Sequence, residues 1–407
     1  MFEFRHQPLK ALFWLYVSLD LVFTIALWTV LWVFPPMRPR RSWMLQRTLR
    51  TACARRLGFA TFRVGPGFTV VGPPRKDADI ARTGFVEIEG VPDELVPGEV
   101  KDMARINGVQ PVRVGGYWYG ERDKDGKHGQ KAAPGEKVLY VLHGKHVCAG
   151  GTGHPDGIGY PYLTTSLLKA SHGLLKRAFI PEYRLLTAAP FSPPHTAFPA
   201  PLLDALSGYY YLVHTLGFEP ANVTVEGDSA GGHLAVAFVR ALALLSDARL
   251  PQLGGALLIS PTADWAGTHG PPPKESYTTD WVQPFISRDF IPRALVGTLP
   301  PATLAGVWLS PASRELRDED APALFRDFPR TLIVAGAAEL TVVPMRTLRD
   351  RIAAGGGAET VAYREYDDMT HDFIAFDWCE PQRSEALGDF GRWLEGKPIG
   401  EGREATA

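Results

Sequence analysis

From residue 137 onward, short apolar segments alternate with longer segments of helical spacing, and this alternation constrains the fold more than any other feature of the chain. Six segments have the length and the apolar content of strands: 138–143, 178–185, 223–227, 255–260, 331–336 and 361–366. Strands separated by helices predict a mostly parallel, twisted sheet with helices on both faces. Ligands of such sheets bind beyond the carboxyl ends of the strands. We therefore expect the functional residues directly after the strands.

One predicted strand leads into the sequence VEGDSAGGHL, residues 225–234, in which glycines surround a single serine, Ser229. The neighbours that form the turn are Gly227, Asp228, Gly231 and Gly232. Glycine permits a turn too tight for residues with a Cβ, and such a turn lifts a serine hydroxyl clear of the sheet. A G-x-S-x-G match alone arises by chance in about one shuffled chain in ten of this composition. The assignment of Ser229 as a nucleophile therefore depends on its partners.

A serine nucleophile needs a base that removes its proton and an acid that orients the base. The best candidate base is His371, in the loop DDMTHDF that follows the last predicted strand. Glu339, in AGAAEL after the preceding strand, is the candidate acid. Three aspartates flank the histidine and are poorly placed to approach it from behind: Asp367, Asp368 and Asp372. The chain order Ser229, Glu339, His371 is that of the α/β-hydrolases and excludes the trypsin order.

Several further runs share this pattern: FIPEYRL, FPAPLLDAL, LGFEPANVTVEGDSAGGHLAVAFVRAL, PRTLIVAGAAEL and MTHDFIAF. Together they resemble the hormone-sensitive-lipase-type branch of the α/β-hydrolase fold over about residues 135–395, with fungal-type membrane-anchored esterases the most similar in character. The resemblance implies a serine carboxylesterase or lipase that hydrolyses hydrophobic esters, lipid or sterol-type esters among them, through an acyl-enzyme. In it Ser229 is the nucleophile, Glu339 takes the place usually held by aspartate, and His371 is the base. It implies no metal and no organic cofactor, and a lid over the acyl pocket.

The loop expected to form the oxyanion hole differs in sequence from that of the hormone-sensitive-lipase-type branch. Where H-G-G-G is usual, this chain has His143-Gly144-Lys145-His146. Backbone N–H groups form such a site, so the donors survive the loss of glycine, although added side chains crowd the approach. The predicted donors are Gly144, Lys145 and Ala230. Because plant gibberellin receptors use the same branch as a binding module, a non-catalytic, receptor-like protein stays open, as does an amidase with the same triad.

The segment Ala11–Phe34 carries one charge, Asp20, in 24 residues. As a helix it would measure about 36 Å, against about 30 Å of bilayer hydrocarbon. We interpret it as a membrane anchor, single-pass or monotopic, of an organelle such as the endoplasmic reticulum or a lipid droplet. The alternative is a buried core helix, because Asp20 at mid-bilayer would cost about 2.5–3.5 kcal/mol. Arginines after the segment favour a cytoplasmic catalytic domain.

The predicted organisation is an anchor with a basic flank (1–41), a hydrolase domain (42–395) with an inserted cap (262–320), and a disordered tail (396–407). Residues 42–62 alternate arginine with apolar residues, as does an amphipathic helix on a membrane or over a cleft. Residues 72–108 are predicted to form loops and edge hairpins, and 112–119 a strand.

Composition excludes some partners. A net charge of −1, without a basic block beyond the anchor's flank, argues against nucleic acid. Three cysteines without a C-x-x-C pair indicate neither a disulfide framework nor a zinc site. The sequence predicts a small hydrophobic ester as the ligand, and it leaves the oligomeric state open.

Overall fold

The structure, a computed structural model, describes residues 1–65, 73–144, 153–157, 160–191 and 196–400. Eight strands of these residues form one sheet. Their bounds are β1 Phe85–Ile88, β2 Val114–Gly120, β3 Lys137–Leu142, β4 Leu175–Pro181, β5 Val223–Asp228, β6 Gly255–Ile259, β7 Arg330–Gly336 and β8 Val361–Tyr366.

The strands lie in the order β1-β2-β4-β3-β5-β6-β7-β8. The pairs β1–β2 and β2–β4 are antiparallel, and all the others are parallel. Every predicted strand is present, although β4 begins and ends a few residues earlier than expected. The mostly parallel sheet predicted from the alternation is confirmed. It brings the carboxyl ends of β5, β7 and β8, with the candidate residues that follow them, to one edge.

Helices cover both faces of the sheet. Among the described residues they are α1 Leu9–Trp32, α2 Leu45–Val64, α3 Asp77–Thr83, α4 Gly98–Asn107, α5 Tyr160–Ala170, α6 Ala200–Tyr210, α7 Ala230–Leu245, α8 Lys274–Thr279, α9 Gln283–Ile286, α10 Phe290–Val296, α11 Ala321–Leu324, α12 Val342–Gly356 and α13 Gln382–Leu394. Side chains of β3 alternate between two apolar clusters, one that includes α6 and α7 and one that includes α5 and α13. This alternation is the two-sided burial expected of a parallel strand.

The prediction of loops and edge hairpins for residues 72–108 was only partly right: β1 is an edge strand paired antiparallel with β2, but two helices were missed. The region contains α3, β1 and the ten-residue helix α4. On α4 the buried residues are Val100, Met103, Ala104 and Asn107, which are spaced to share one helix face. The packing of this face against the larger core stabilises α4. The charged residues and short apolar runs of its sequence did not indicate a helix.

The segment 262–320, which we keep as the proposed cap, lies between β6 and β7 and contains α8, α9 and α10. Helix α2 packs against α9. The contact is close at Gly58, where an added Cβ would lie 2.9 Å from the Phe285 ring. The helix predicted for residues 42–62 therefore forms, and it covers part of the proposed cap.

Helix α1 is the helix of the described residues that is long and apolar enough to cross a membrane. Only 6% of its most apolar 18-residue window is buried. This low burial favours the interpretation as an anchor over that as a buried core helix, because a core helix would bury most of that window.

Candidate active site

Ser229 occupies a sharp turn between β5 and α7. Its backbone has φ 54° and ψ −116°, a conformation that L-residues rarely adopt. The Ser229 N–H donates to the Ile259 carbonyl at 2.8 Å, and the Ser229 carbonyl accepts from Thr262 N–H at 3.0 Å. These bonds to β6 and to the residues after it hold the strained turn in place.

Two glycines of the predicted turn lie where no Cβ fits. At Gly231 a Cβ would lie 1.8 Å from the Leu142 carbonyl oxygen, and at Gly227 it would lie 2.4 Å from the Gly231 carbonyl oxygen. Helix α7 can therefore begin directly above β3 and β5 only with glycine at these positions. Local sequence and close backbone approach together place Ser229 at the edge of the sheet.

The three predicted site residues form one continuous chain of hydrogen bonds. The Ser229 Oγ lies 2.7 Å from His371 Nε2. The opposite ring nitrogen, Nδ1, lies 2.9 Å from Glu339 Oε2. Both the histidine and the glutamate are fully buried. The structure therefore brings together residues that are separated by 142 and 32 positions in the chain.

Glu339 is held by donors of its own. Its Oε1 accepts from Gly336 N–H at 2.6 Å and from the Ser260 hydroxyl at 2.7 Å, and its Oε2 accepts from the Thr341 hydroxyl at 3.3 Å. These donors satisfy both carboxylate oxygens of the buried side chain and fix its orientation. These hydrogen bonds leave Glu339 Oε2 directed at His371.

Asp372 lies on the other side of the imidazole. Its Oδ2 is 3.5 Å from His371 Nε2, the nitrogen that faces Ser229. Asp368 instead pairs with Arg40, at 3.1 Å. In this geometry Glu339 is the carboxylate that contacts Nδ1, as expected of an orienting acid.

The pKa of His371 reflects opposed effects. Burial lowers it, but the carboxylates of Asp372, Glu339 and Asp280 outweigh burial and raise the pKa above its ordinary value. Negative charge around a buried imidazole stabilises the imidazolium, the form the base takes after it accepts a proton.

Asp280, in the proposed cap, is a site residue that sequence reasoning missed. It is fully buried; its Oδ1 accepts from His371 N–H at 3.3 Å and its Oδ2 accepts from Leu340 N–H at 2.9 Å. Burial raises its pKa to about 6, against the opposing charge of His371. One carboxylate thus joins the loops of the acid and the base. Its only sequence signal was an acidic residue within an aromatic run.

Two other contributors were also missed. The Trp281 indole donates to the His371 carbonyl at 2.7 Å. Ser260, with φ 45°, donates to Glu339 and accepts from Asp372 N–H at 3.0 Å. Neither residue stood out, because each acts on the histidine loop from a distant part of the chain.

The predicted oxyanion site is only partly described. The Gly144 N–H donates to Asp228 Oδ1 at 2.8 Å, so in this conformation it is not available to a substrate oxygen, contrary to the prediction. Ala230 is the first residue of α7, where backbone N–H groups have no partner within the helix. Lys145 lies outside the described residues.

Glu226, in the strand before Ser229, is fully buried, and neither carboxylate oxygen has a hydrogen-bond partner. Burial raises its pKa well above the ordinary value, and Asp228 and Asp372 add to the effect. Such a group is favoured as the neutral acid. Within the described part of the chain, no cluster of three His, Cys, Asp or Glu side chains could hold a metal ion.

Comparisons with known proteins find hydrolases among the relatives of this chain. An acetyl-hydrolase of Streptomyces hygroscopicus is 32% identical over 215 residues, 52% of this chain and 64% of that protein. Esterase LipU of Mycobacterium tuberculosis is 27% identical over 234 residues, 55% of this chain and 66% of that protein. The chain thus spans slightly less than two thirds of the length of either relative.

A crystal structure of an esterase from the bacterial hormone-sensitive lipase family superposes with a TM-score of 0.52 at 20% identity, covering 86% of this chain and 98% of that one. At this identity the likeness concerns the fold, and it is the fold of the branch that the sequence resembles. The family with an alpha/beta hydrolase fold matches residues 165–375, more than half of the chain. The chain therefore belongs to the α/β-hydrolase fold family.

Proposed function

We propose that the protein is a serine carboxylesterase. The observation that carries this proposal is the chain of contacts from Ser229 Oγ through the His371 ring to Glu339, with separations of 2.7 and 2.9 Å. Similarity to an acetyl-hydrolase and to an esterase supports the same reaction class.

In the proposed mechanism, Ser229 Oγ attacks the carbonyl carbon of the ester while His371 Nε2 takes the hydroxyl proton. Glu339 holds the Nδ1–H and so keeps Nε2 free to accept. The imidazolium then gives its proton to the departing alcohol, which leaves an acyl-Ser229 ester. Water deprotonated by the same nitrogen attacks this ester and releases the acid and the serine.

The developing oxyanion needs backbone donors, and we propose Ala230 N–H and Lys145 N–H for this role. Gly144 could contribute only after its N–H leaves Asp228. The loss of one such donor typically costs about 2.7–4 kcal/mol of transition-state stabilisation. The state of this loop therefore decides how fast the proposed esterase is.

We propose a hydrophobic ester as the substrate, with lipid or sterol-type esters included. Aromatic rings form a series of contacts that begins at the histidine: Trp281 lies 5.8 Å from the His371 ring, Phe285 lies 6.1 Å from Trp281, and Phe62 lies 5.3 Å from Phe285. Such rings favour apolar groups over charged ones.

We also propose that α1 associates the enzyme with a membrane. Its exposed apolar residues support this, and the arginines that follow it favour a cytoplasmic catalytic domain. An endoplasmic reticulum or lipid droplet location stays a prediction.

The hydrogen-bond chain favours hydrolysis over the receptor-like alternative, because a binding module has no need of a base oriented by a buried acid. An amidase would use the same residues. Hydrolysis of matched p-nitrophenyl esters and anilides separates the ester and amide reactions.

The direct test is labelling with a fluorophosphonate followed by intact-mass analysis. We expect one adduct on the wild type and on Ser384→Ala, which changes an exposed serine of α13, and no adduct on Ser229→Ala. A panel of p-nitrophenyl esters of increasing acyl length should show activity lost only in Ser229→Ala. Adduct formation or full activity in that variant would overturn the assignment.

A further inference from the structure

One face of α1 is covered by nothing in the structure. Its side chains are between 53% and 75% exposed and recur at intervals of one to four residues: Leu12, Leu15, Tyr16, Leu19, Val22, Phe23, Leu27 and Val30. At 100° per residue these positions fall within less than half of the helix circumference. The exposed face is thus apolar along most of the 24-residue helix.

The opposite face of α1 packs along α2. Val17 is buried there, and Asp20, the charged residue of Ala11–Phe34, turns toward α2. Its Oδ2 accepts from Arg56 Nε at 2.5 Å. The pair α1–α2 therefore forms one amphipathic unit, with apolar side chains outside and the arginines of α2 toward the protein.

The amino-terminal end of α1 is held by the hydrolase domain. The Phe2 N–H donates to the Phe62 carbonyl at 2.8 Å, and the Phe4 N–H donates to the Arg63 carbonyl at 2.9 Å. The Phe2 side chain is buried, with its ring centroid 4.9 Å from Phe191 and 5.0 Å from Phe290.

The carboxyl-terminal end of α1 is held by the same domain. In the connector to α2, Arg40 Nη1 lies 3.1 Å from Asp368 Oδ1, and the Trp43 indole donates to the Asp368 carbonyl at 3.0 Å. Arg40 also donates to the Thr279 hydroxyl at 3.2 Å. This end therefore contacts the loop that carries His371 and the proposed cap.

We propose that α1 lies in the plane of one membrane leaflet and does not span the bilayer. A helix about 36 Å long places its ends on opposite sides of a membrane only if they are free to separate, and here both ends bind one globular domain. An amphipathic unit of this kind buries its apolar face at the boundary between headgroups and acyl chains. The inference rests on the membrane association in the proposed function.

Residues at both ends of α1 suit that boundary. Arg5 lies before the helix and Arg41 after it, and both are exposed. Exposed guanidinium groups beside an apolar helix face suit anionic headgroups, so we name an anionic phospholipid leaflet as the partner.

The first experiment measures flotation of the full chain with vesicles of phosphatidylcholine and phosphatidylserine in a 3:1 ratio. Val22→Glu with Phe23→Glu changes the exposed face of α1, and Ile106→Glu with Tyr162→Glu is a matched change of exposed residues on the hydrolase domain. We expect at least a tenfold loss of bound protein in the first double variant only. Equal binding by both variants would overturn the proposal that the exposed face of α1 binds the membrane.

The second experiment separates an in-plane helix from a spanning one. His6→Cys and Ser42→Cys place exposed thiols on either side of α1. In sealed membrane vesicles from expressing cells, labelling by an impermeant polyethylene glycol maleimide is compared before and after detergent, with the parent chain correcting for native cysteines. We expect equal accessible fractions at the two positions. Complementary fractions, or a mature chain that lacks α1, would overturn the proposal.

Neither readout depends on catalysis. A chain that hydrolyses esters but gives complementary labelling keeps the proposed function and loses the in-plane helix. A chain with equal labelling but no fluorophosphonate adduct keeps the in-plane helix and loses the proposed function.

Discussion

Replacing Glu339 by Gln should abolish most of the proposed esterase activity while preserving the shape of the site. The carboxylate accepts on both sides: Oε2 faces His371 Nδ1 at 2.9 Å, and Oε1 accepts from Gly336 N–H at 2.6 Å. A glutamine has one oxygen and one NH₂ group, so one of these two sides must receive a donor. The variant therefore has two possible orientations.

We expect the amide oxygen to remain with Gly336, because this backbone N–H cannot rotate away and an unpaired buried donor costs about 1–3 kcal/mol. The NH₂ group then donates to His371 Nδ1, which places the ring proton on Nε2. In that tautomer Nε2 cannot take the Ser229 proton. A comparable change of acid to amide lowers kcat by about 10⁴, which corresponds to about 5.4 kcal/mol.

The assay is kcat/KM for p-nitrophenyl acetate, with the melting temperature as the control for folding. Asp372→Asn is the matched variant, because it also converts a carboxylate near the histidine into an amide. Its Oδ2 lies 3.5 Å from Nε2 and does not contact Nδ1, so the variant leaves the ring tautomer unchanged and we expect a loss of less than about tenfold. A folded Glu339→Gln enzyme within tenfold of wild type, or an Asp372→Asn enzyme that is the more impaired, would refute the reasoning.

Asp372→Asn and two other variants test the buried carboxylates. Asp280→Asn should lower kcat by about 10- to 100-fold with KM little changed. Both oxygens of Asp280 accept from backbone N–H groups, so the NH₂ group of an asparagine must face such a donor. A raised KM with unchanged kcat would contradict a positioning role. Asp372→Asn should move the acidic limb of the kcat/KM profile to lower pH, because Asp372 raises the pKa of His371, and an unmoved limb would contradict this. The third variant is Glu226→Gln. Because the pKa of Glu226 is raised, the folded wild type holds a proton that the unfolded state loses above about pH 4.3. The stability of the wild type therefore falls as pH rises. We expect the difference in melting temperature, variant minus wild type, to increase from pH 5 to pH 8; a constant difference would show that Glu226 does not titrate with folding.

Much of the fold and the arrangement of the candidate site could be predicted because the signals are local. Alternation of apolar strands with helices specified β3 to β8, and strand ends in parallel sheets meet at one edge. The position of Glu339 after the preceding strand then favoured it over Asp372, and the structure places Glu339 at Nδ1. Helix α4 was missed because its apolar residues are few. Their helical spacing stabilises a helix only when they pack against core residues that are distant in the sequence.

The sequence by itself determined that a serine lies in a glycine-flanked turn after a strand, that an acid and a histidine follow later strands, and that α1 is apolar. Tertiary structure alone decided that Asp280, 91 positions before His371, reaches the histidine backbone, that Gly144 donates to Asp228, and that both ends of α1 meet the same domain. The physical reason is the range of the interactions. Periodicity and turn chemistry act over a few residues, whereas a buried hydrogen bond between distant segments depends on how all the intervening elements pack.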